Sequence, residues 1–185
     1  MHRFFIPKEA LTGHVVALGQ EFAHRLGRVL RLRPGDRVIF LDDSGWEYDA
    51  ELTLLSQTRV EARITGKKLS GGETSIRLHL YQALLKLDKF ELVLQKGVEL
   101  GIASFVPVVS LRSVAAPPPP DRLARWQRII LEAAEQSHRG RLPLLNPALP
   151  LETAMASAPG QRIIPWEEES TVGLHQTLSD CKGIT

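Results

Sequence analysis

Residues 76–110, IRLHLYQALLKLDKFELVLQKGVELGIASFVPVVS, set a strand, a helix and a second strand within 35 positions. IRLHLYQALL passes from alternating to continuous apolar character, as a strand does when one end becomes buried on both faces. DKFELVLQKGVELG is bounded as a helix, with Asp88 at an N-cap position, Glu91 three residues on, and Gly101 at the C-cap. IASFVPVVS is a second apolar strand. Two strands joined through a helix run parallel with a right-handed crossover, so this part of the chain is expected to be α/β. Downstream, the APPPP run at 116–120 is a stiff spacer outside any helix, and Asp121 is expected to cap a helix from Arg122 to about His138. RLPLL and RIIPW read as further short strands, separated by a weak helix near 151–157.

The chain before residue 70 has a different grammar. RFFI at 3–6 reads as a short strand, and QEFAHRLGRVLRL at 20–32 as a helix with Phe22, Leu26, Val29 and Leu30 on one side. A Pro34-Gly35 turn leads into RVIFLD, and DDSG at 42–45 marks a turn before WEYDAELTLL and RVEARIT. Three strands so close together predict a meander or small barrel. KKLSGGETS at 67–75 is polar and Gly-rich, so it is taken as the domain boundary and as a flexible hinge. The expected organisation is α+β in two domains, a small β-rich module over 1–70 and an α/β domain over 76–185.

A chain of 185 residues, 43% hydrophobic and 24% charged, can hold one large core or two small ones. No apolar run approaches the roughly 18 residues of a membrane span, and MHRFFIPKEA has no apolar h-region, so a soluble protein is expected. The single cysteine, Cys181, rules out an internal disulfide and fits a reducing cytoplasm. Net charge is only +2, but residues 1–41 hold seven basic residues against three acids, a local +4. The basic set is rich in Arg, whose planar guanidinium suits bidentate phosphate contact. A solvated face would carry the same charge, so both readings stay open. The six histidines are scattered without metal-ligand spacing, and neither a nucleophile elbow nor a Walker loop occurs, so no metal site is expected.

Three polar clusters remain. Arg25, Arg28 and Arg31 are three residues apart, which lines them along one helix flank with Arg33 just beyond. Such a stripe tracks phosphates or faces water. Lys89, Lys96 and Glu99 fall opposite Phe90, Val93, Leu94 and Gly97, and Lys96 and Glu99 are spaced to pair with one another. Gly97 in a helix interior costs up to about 1 kcal/mol relative to Ala, so close packing against it is expected as compensation. LEAAEQSHRGRLP at 131–143 gathers Glu132, Glu135, Gln136, Ser137, His138, Arg139 and Arg141 beside Gly140.

In order and spacing, HRLGRVLRLRPGD, LLKLDKFELVLQKGVELGIASFVPVVSLRS and LEAAEQSHRGRLP resemble the bacterial 16S ribosomal RNA uridine N3-methyltransferase family, RsmE. The resemblance runs from RFFI to about PWEEES. It implies a PUA-like RNA-binding β-barrel at the N-terminus and a SPOUT-type α/β methyltransferase domain after it. It further implies S-adenosyl-L-methionine held in a deep trefoil knot, a homodimer, and 16S rRNA of the small ribosomal subunit as partner. Members of the family continue into a Gly-rich stretch of the form I-G-P-E-G-G and a final L-G-x-R-I-L-R segment. This sequence ends at LSDCKGIT, so the α/β domain is expected to be incomplete at its C-terminus and its cofactor-binding residues are left unassigned. The alternative is a non-catalytic RNA-binding or ribosome-assembly remnant.

On the same resemblance Glu135, Gln136, Ser137 and Arg139 form a polar lip beside the cofactor pocket. Arg139 would meet a phosphate or the uracil anion, and Glu135 or Gln136 would orient the base; the alternative is a helix end whose polar residues cap it and form salt bridges. Arg112, after the second strand of the βαβ unit, would face the same cleft, because ligands of open parallel sheets gather at the carboxyl ends of strands. The expected RNA contacts are Arg3, His24, Arg25, Arg28, Arg31, Arg33, Lys89 and Lys96.

Overall fold

The computed structural model describes residues 1–85, 88–111, 118–165, 168, 170 and 173–179. Two sheets organise it. The first has six strands: β1 (His2–Phe5), β2 (Leu11–Thr12), β3 (Val15–Leu18), β4 (Arg37–Leu41), β5 (Trp46–Leu55) and β6 (Val60–Leu69). Their order is β1-β4-β5-β6-β3-β2, with β1 parallel to β4 and the other pairs antiparallel. The β4-β5-β6 meander is the one expected from the turn residues. Gly35 has φ of 95° and Gly45 of 92°, values that favour glycine, and Asp43 between them takes φ of 62°.

The expected regular helix at 20–32 is replaced by a shorter, wider coil. One α-helical turn, α1 (Gln20–Ala23), passes into a π-helical stretch at His24–Val29, and Arg31 closes it with φ of 56°. Bonds from i to i+5 add a residue to the turn, so positions three apart rotate away from one another. Leu26 still reaches the core, joining Phe4, Val16, Val38, Phe40, Leu52 and Val60 on the inner face of the sheet.

The second sheet is parallel throughout. It contains β7 (Leu78–Ala83), β8 (Ile102–Val109), and on the far side of β8 two short strands, β9 (Leu144–Leu145) and β10 (Leu149–Pro150). Helix α2 (Asp88–Glu99) joins β7 to β8, and α3 (Pro120–Gln136) joins β8 to β9. α3 starts one residue before the expected Asp121 cap, because Pro120 occupies the first helical position, where its missing N–H costs nothing. α4 (Leu151–Ser157) lies where the weak helix was expected, whereas 162–165 form no strand; the final Trp166 of RIIPW lies outside the described residues. α5 (Leu174–Ser179) follows.

One apolar core joins the two sheets. Phe4, Val38 and Phe40 point into the first core, while Phe5, Ile39 and Leu41, alternating with them along β1 and β4, point out of it. Those three pack with Phe90, Leu94, Phe105, Trp126, Ile130 and Ala134 of the α/β region. β1 and β4 are therefore buried on both faces, which explains their continuous apolar runs. Trp126 stacks on Phe90 at 4.4 Å between ring centres, closing α3 against α2.

KKLSGGETS was expected to be a flexible hinge, and the structure corrects this. Glu73 accepts hydrogen bonds from the backbone amides of Gly140 and Arg141, each at 3.0 Å, and Ser70 donates to the His138 carbonyl at 3.1 Å. A methyl group on Gly72 would stand 2.0 Å from that carbonyl, so the segment is packed at a distance only glycine allows.

Candidate nucleic-acid interface and cofactor edge

Arg139 is only 3% exposed. Its Nε and Nη2 donate to the two carboxylate oxygens of Glu73 at 3.0 and 2.8 Å, and its Nη1 donates to the carbonyls of Val98 and Ile102 at 3.2 and 3.0 Å. Burial pushes the Glu73 carboxyl up, but Arg139 and the amides of Gly140 and Arg141 outweigh it and hold that group below the ordinary carboxylate range. The cluster ties the interdomain segment to the end of α3 and to the start of β8.

That position overturns the expected polar lip. Ile102 is the first residue of β8, so Arg139 stands at the amino edge of the parallel sheet. The carboxyl edge, where Val109 ends β8, lies roughly 23 Å away at about 3.3 Å per residue. An αβ connection brings the end of a helix back to the start of the next strand, which is why the stretch after α3 cannot reach the other edge. Arg112 lies outside the described residues.

Glu135 is likewise engaged. It is 7% exposed, accepts from the Phe5 backbone amide at 3.1 Å, and forms a two-pronged ion pair with Arg25. Arg25 also lies over the Phe4 ring, 5.0 Å from its centre. Glu135 thus fastens α3 to β1 and to the π-helical turn rather than orienting a base. Ser137 donates to the Ala133 carbonyl of its own helix at 2.7 Å, while Gln136 is exposed at the end of α3.

The basic residues divide. Arg3 was expected to meet RNA, but it is 8% exposed and paired with Glu47 at 2.6 Å. The reason is register: Arg3 shares the face of β1 that carries Phe5, which is buried against α3. Burial raises the Glu47 carboxyl, and the bonds from Arg3 and Lys68 more than reverse this, so it ionises more readily than usual. The expected stripe of Arg25, Arg28 and Arg31 is broken by the π-helical winding, since Arg25 turns to Glu135. His24, Arg28, Arg31 and Arg33 remain exposed, as does Lys89 on α2. Lys96 donates to Glu99 at 2.9 and 3.1 Å, the pairing its spacing allowed.

His24, Arg28 and Arg33 line a groove of about 570 Å³ together with Leu32, Pro34 and Leu55. Its far wall is the turn between β5 and β6, Ser56 to Thr58, which no sequence motif marked as functional. A second hollow, about 450 Å³, lies on the face of the parallel sheet away from α2 and α3 and is lined by Arg77, His79, Tyr81, Ser104 and Asn146. There His79 Nδ1 and Ser104 Oγ share a hydrogen bond of 2.6 Å. At the carboxyl edge Leu111 is wholly exposed and Leu151 is 39% exposed. Among the described residues no group of His, Cys, Asp or Glu is placed to hold a metal ion. No helix among them is long and apolar enough to cross a membrane.

A β-rich module with a basic groove is thus fixed to a parallel α/β domain. Residues 72–184 match the RNA methyltransferase domain and residues 19–65 the RNA methyltransferase PUA domain. The chain belongs to this family of RNA methyltransferases, among relatives named ribosomal RNA small subunit methyltransferase E. The Bacillus subtilis relative is 33% identical over 152 residues, covering 77% of this chain and 58% of that protein. The Synechocystis relative is 34% identical over 142 residues, covering 77% of this chain and 46% of that one. This chain therefore spans about half the length of the curated relatives it matches. Among solved structures, ribosomal RNA small subunit methyltransferase E from Neisseria gonorrhoeae bound to S-adenosyl methionine superimposes with a TM-score of 0.78. It is 34% identical, and the match covers 86% of this chain and 66% of that one. A Legionella pneumophila protein solved with the same cofactor matches with a TM-score of 0.76 at 27% identity, covering 85% of this chain and 66% of that one.

Proposed function

We propose that this chain is part of an S-adenosyl-L-methionine-dependent methyltransferase acting on N3 of a uridine in 16S rRNA of the small ribosomal subunit. The observation that carries the reading is the likeness of both domains, in one order and one packing, to a relative solved with that cofactor. We assign the α/β domain to the SPOUT trefoil-knot class, acting as a cytoplasmic homodimer.

When bound, the cofactor would supply an electrophilic methyl group to N3 of the uracil. This chain's residues have two tasks around that step. His24, Arg28, Arg31, Arg33 and Lys89 hold the RNA through its phosphates and set its register. Leu111 and Leu151 expose apolar surface at the carboxyl edge of the parallel sheet, where a bound cofactor would rest. The base must be unstacked to expose N3, so the pairing of the N-terminal module to the α/β domain matters for where the extruded base arrives.

Thermal unfolding with S-adenosylhomocysteine tests the cofactor assignment. A ligand at a hundredfold excess over its Kd stabilises the folded state by about 2.7 kcal/mol. A saturable rise in Tm with ligand concentration is expected, and a Tm unmoved at millimolar ligand would overturn the assignment.

A further inference from the structure

The groove on the N-terminal domain differs from a plain phosphate-binding stripe. Its lining sets the apolar side chains of Leu32, Pro34 and Leu55 beside the charged Arg28 and Arg33. None of the residues lining it is acidic. Asp36, two positions after Pro34, accepts from the backbone amide of Arg33 at 2.7 Å; Glu21, beside the lining Gln20, is exposed, and neither Arg28 nor Arg33 forms an ion pair among the described residues.

The shape has identifiable causes. The π-helical winding and the φ of 56° at Arg31 reverse the chain so that Leu32 and Arg33 return over the groove, held by the Leu32 amide on the Leu26 carbonyl at 2.9 Å. Gly27 faces the Leu55 side chain across the groove, where a Cβ would stand 3.6 Å from it, in ordinary contact, and a longer side chain would occupy the space between them. Across the groove Ser56 Oγ accepts from the amides of Thr58 and Arg59 at 3.3 and 3.0 Å, which fixes the turn and presents Gln57 and Thr58 outward. Both are exposed, and each can donate and accept.

We propose that this groove receives a single unpaired nucleotide of the RNA, a deepening that rests on the RNA-binding reading above. The base lies against Leu32, Pro34 and Leu55, its edge reaches Gln57 and Thr58, and its phosphate is held by Arg28 and Arg33. A cavity of about 570 Å³ falls in the range of roughly 300–1,000 Å³ typical of small-ligand sites. A base-paired helix offers such a groove only phosphates, because its bases are stacked inside; apolar lining side chains gain nothing from it. A bulged or looped nucleotide supplies both the π-face and the charge.

The test uses two fluorescent RNA hairpins of one stem sequence, one carrying a single bulged nucleotide and one fully paired, with binding read by anisotropy at fixed salt. Wild type is expected to bind the bulged hairpin about tenfold more tightly. Gly27→Leu fills the groove without changing charge and should erase the preference while keeping affinity for the paired hairpin. The double replacement Gln57→Ala with Thr58→Ala, in an exposed turn, should reduce the preference and guards against a folding defect in the first variant. Equal binding of both hairpins by wild type, or an undiminished preference in both variants, overturns the groove while leaving RNA binding in place. No binding of either hairpin removes the RNA-binding reading itself.

Discussion

Arg25 and Glu135, 110 positions apart, close a two-pronged ion pair in which the carboxylate also caps the Phe5 amide. The pair couples the π-helical turn, β1 and the last turn of α3. Glu135→Gln keeps the shape but removes the charge, and it should cost about 2 kcal/mol. Urea unfolding of Glu135→Gln, Arg25→Ala and the double variant checks this: the two losses should fall short of additive, since each removes the same interaction.

Glu73 predicts a pH dependence. Its folded carboxyl binds a proton less readily than the ordinary value of 4.5 would give, so its stabilisation is complete above that pH and is lost as pH falls below it. The Tm difference between wild type and Glu73→Gln should be full at pH 7 and shrink steadily from about pH 4.5 downward. A difference that stays constant to pH 3 would contradict the role given to the Arg139 cluster.

Gly97→Ala probes the packing of α2 on β8. The added Cβ would sit 2.6 Å from the Phe105 ring, a fully buried side chain with little room to retreat. Although alanine favours a helix, the variant should lose about 1–3 kcal/mol by overpacking, measurable as a lower urea midpoint with unchanged m-value.

Salt dependence separates the exposed arginines from the buried one. Replacing Arg28, Arg31 and Arg33 together by Ala should flatten the slope of log binding constant against log salt by roughly 2–3, as fewer counterions are released. Arg3→Ala should instead leave the slope alone and lower Tm, because its guanidinium is paired with Glu47 inside the protein.

These contrasts show which features of the chain could be read before its structure was known. The meander and the βαβ unit were legible because alternation, capping residues and turn glycines are local signals. Gly97 was legible for the same reason, as a helix-interior glycine that needed close packing. The buried pairings of Arg3, Glu135 and Arg139 leave no local signal, because their partners, Glu47, Arg25 and Glu73, lie 44, 110 and 66 positions away. An arginine buried by such a distant carboxylate looks the same in sequence as one facing water. The π-helical turn left no mark either, since one extra residue per turn does not break an apolar pattern this short. Ser56 to Thr58 are ordinary turn residues, and only the fold sets them opposite Arg28 and Arg33.

The central claim, methyl transfer to a pyrimidine nitrogen of small-subunit RNA, is tested most directly by product identity. The protein is incubated with small ribosomal subunits and S-adenosylmethionine carrying a labelled methyl group, and the 16S rRNA is digested to nucleosides and analysed by mass spectrometry. The account predicts labelled 3-methyluridine. Absence of label, or label confined to a carbon atom or to another nucleoside, would contradict it.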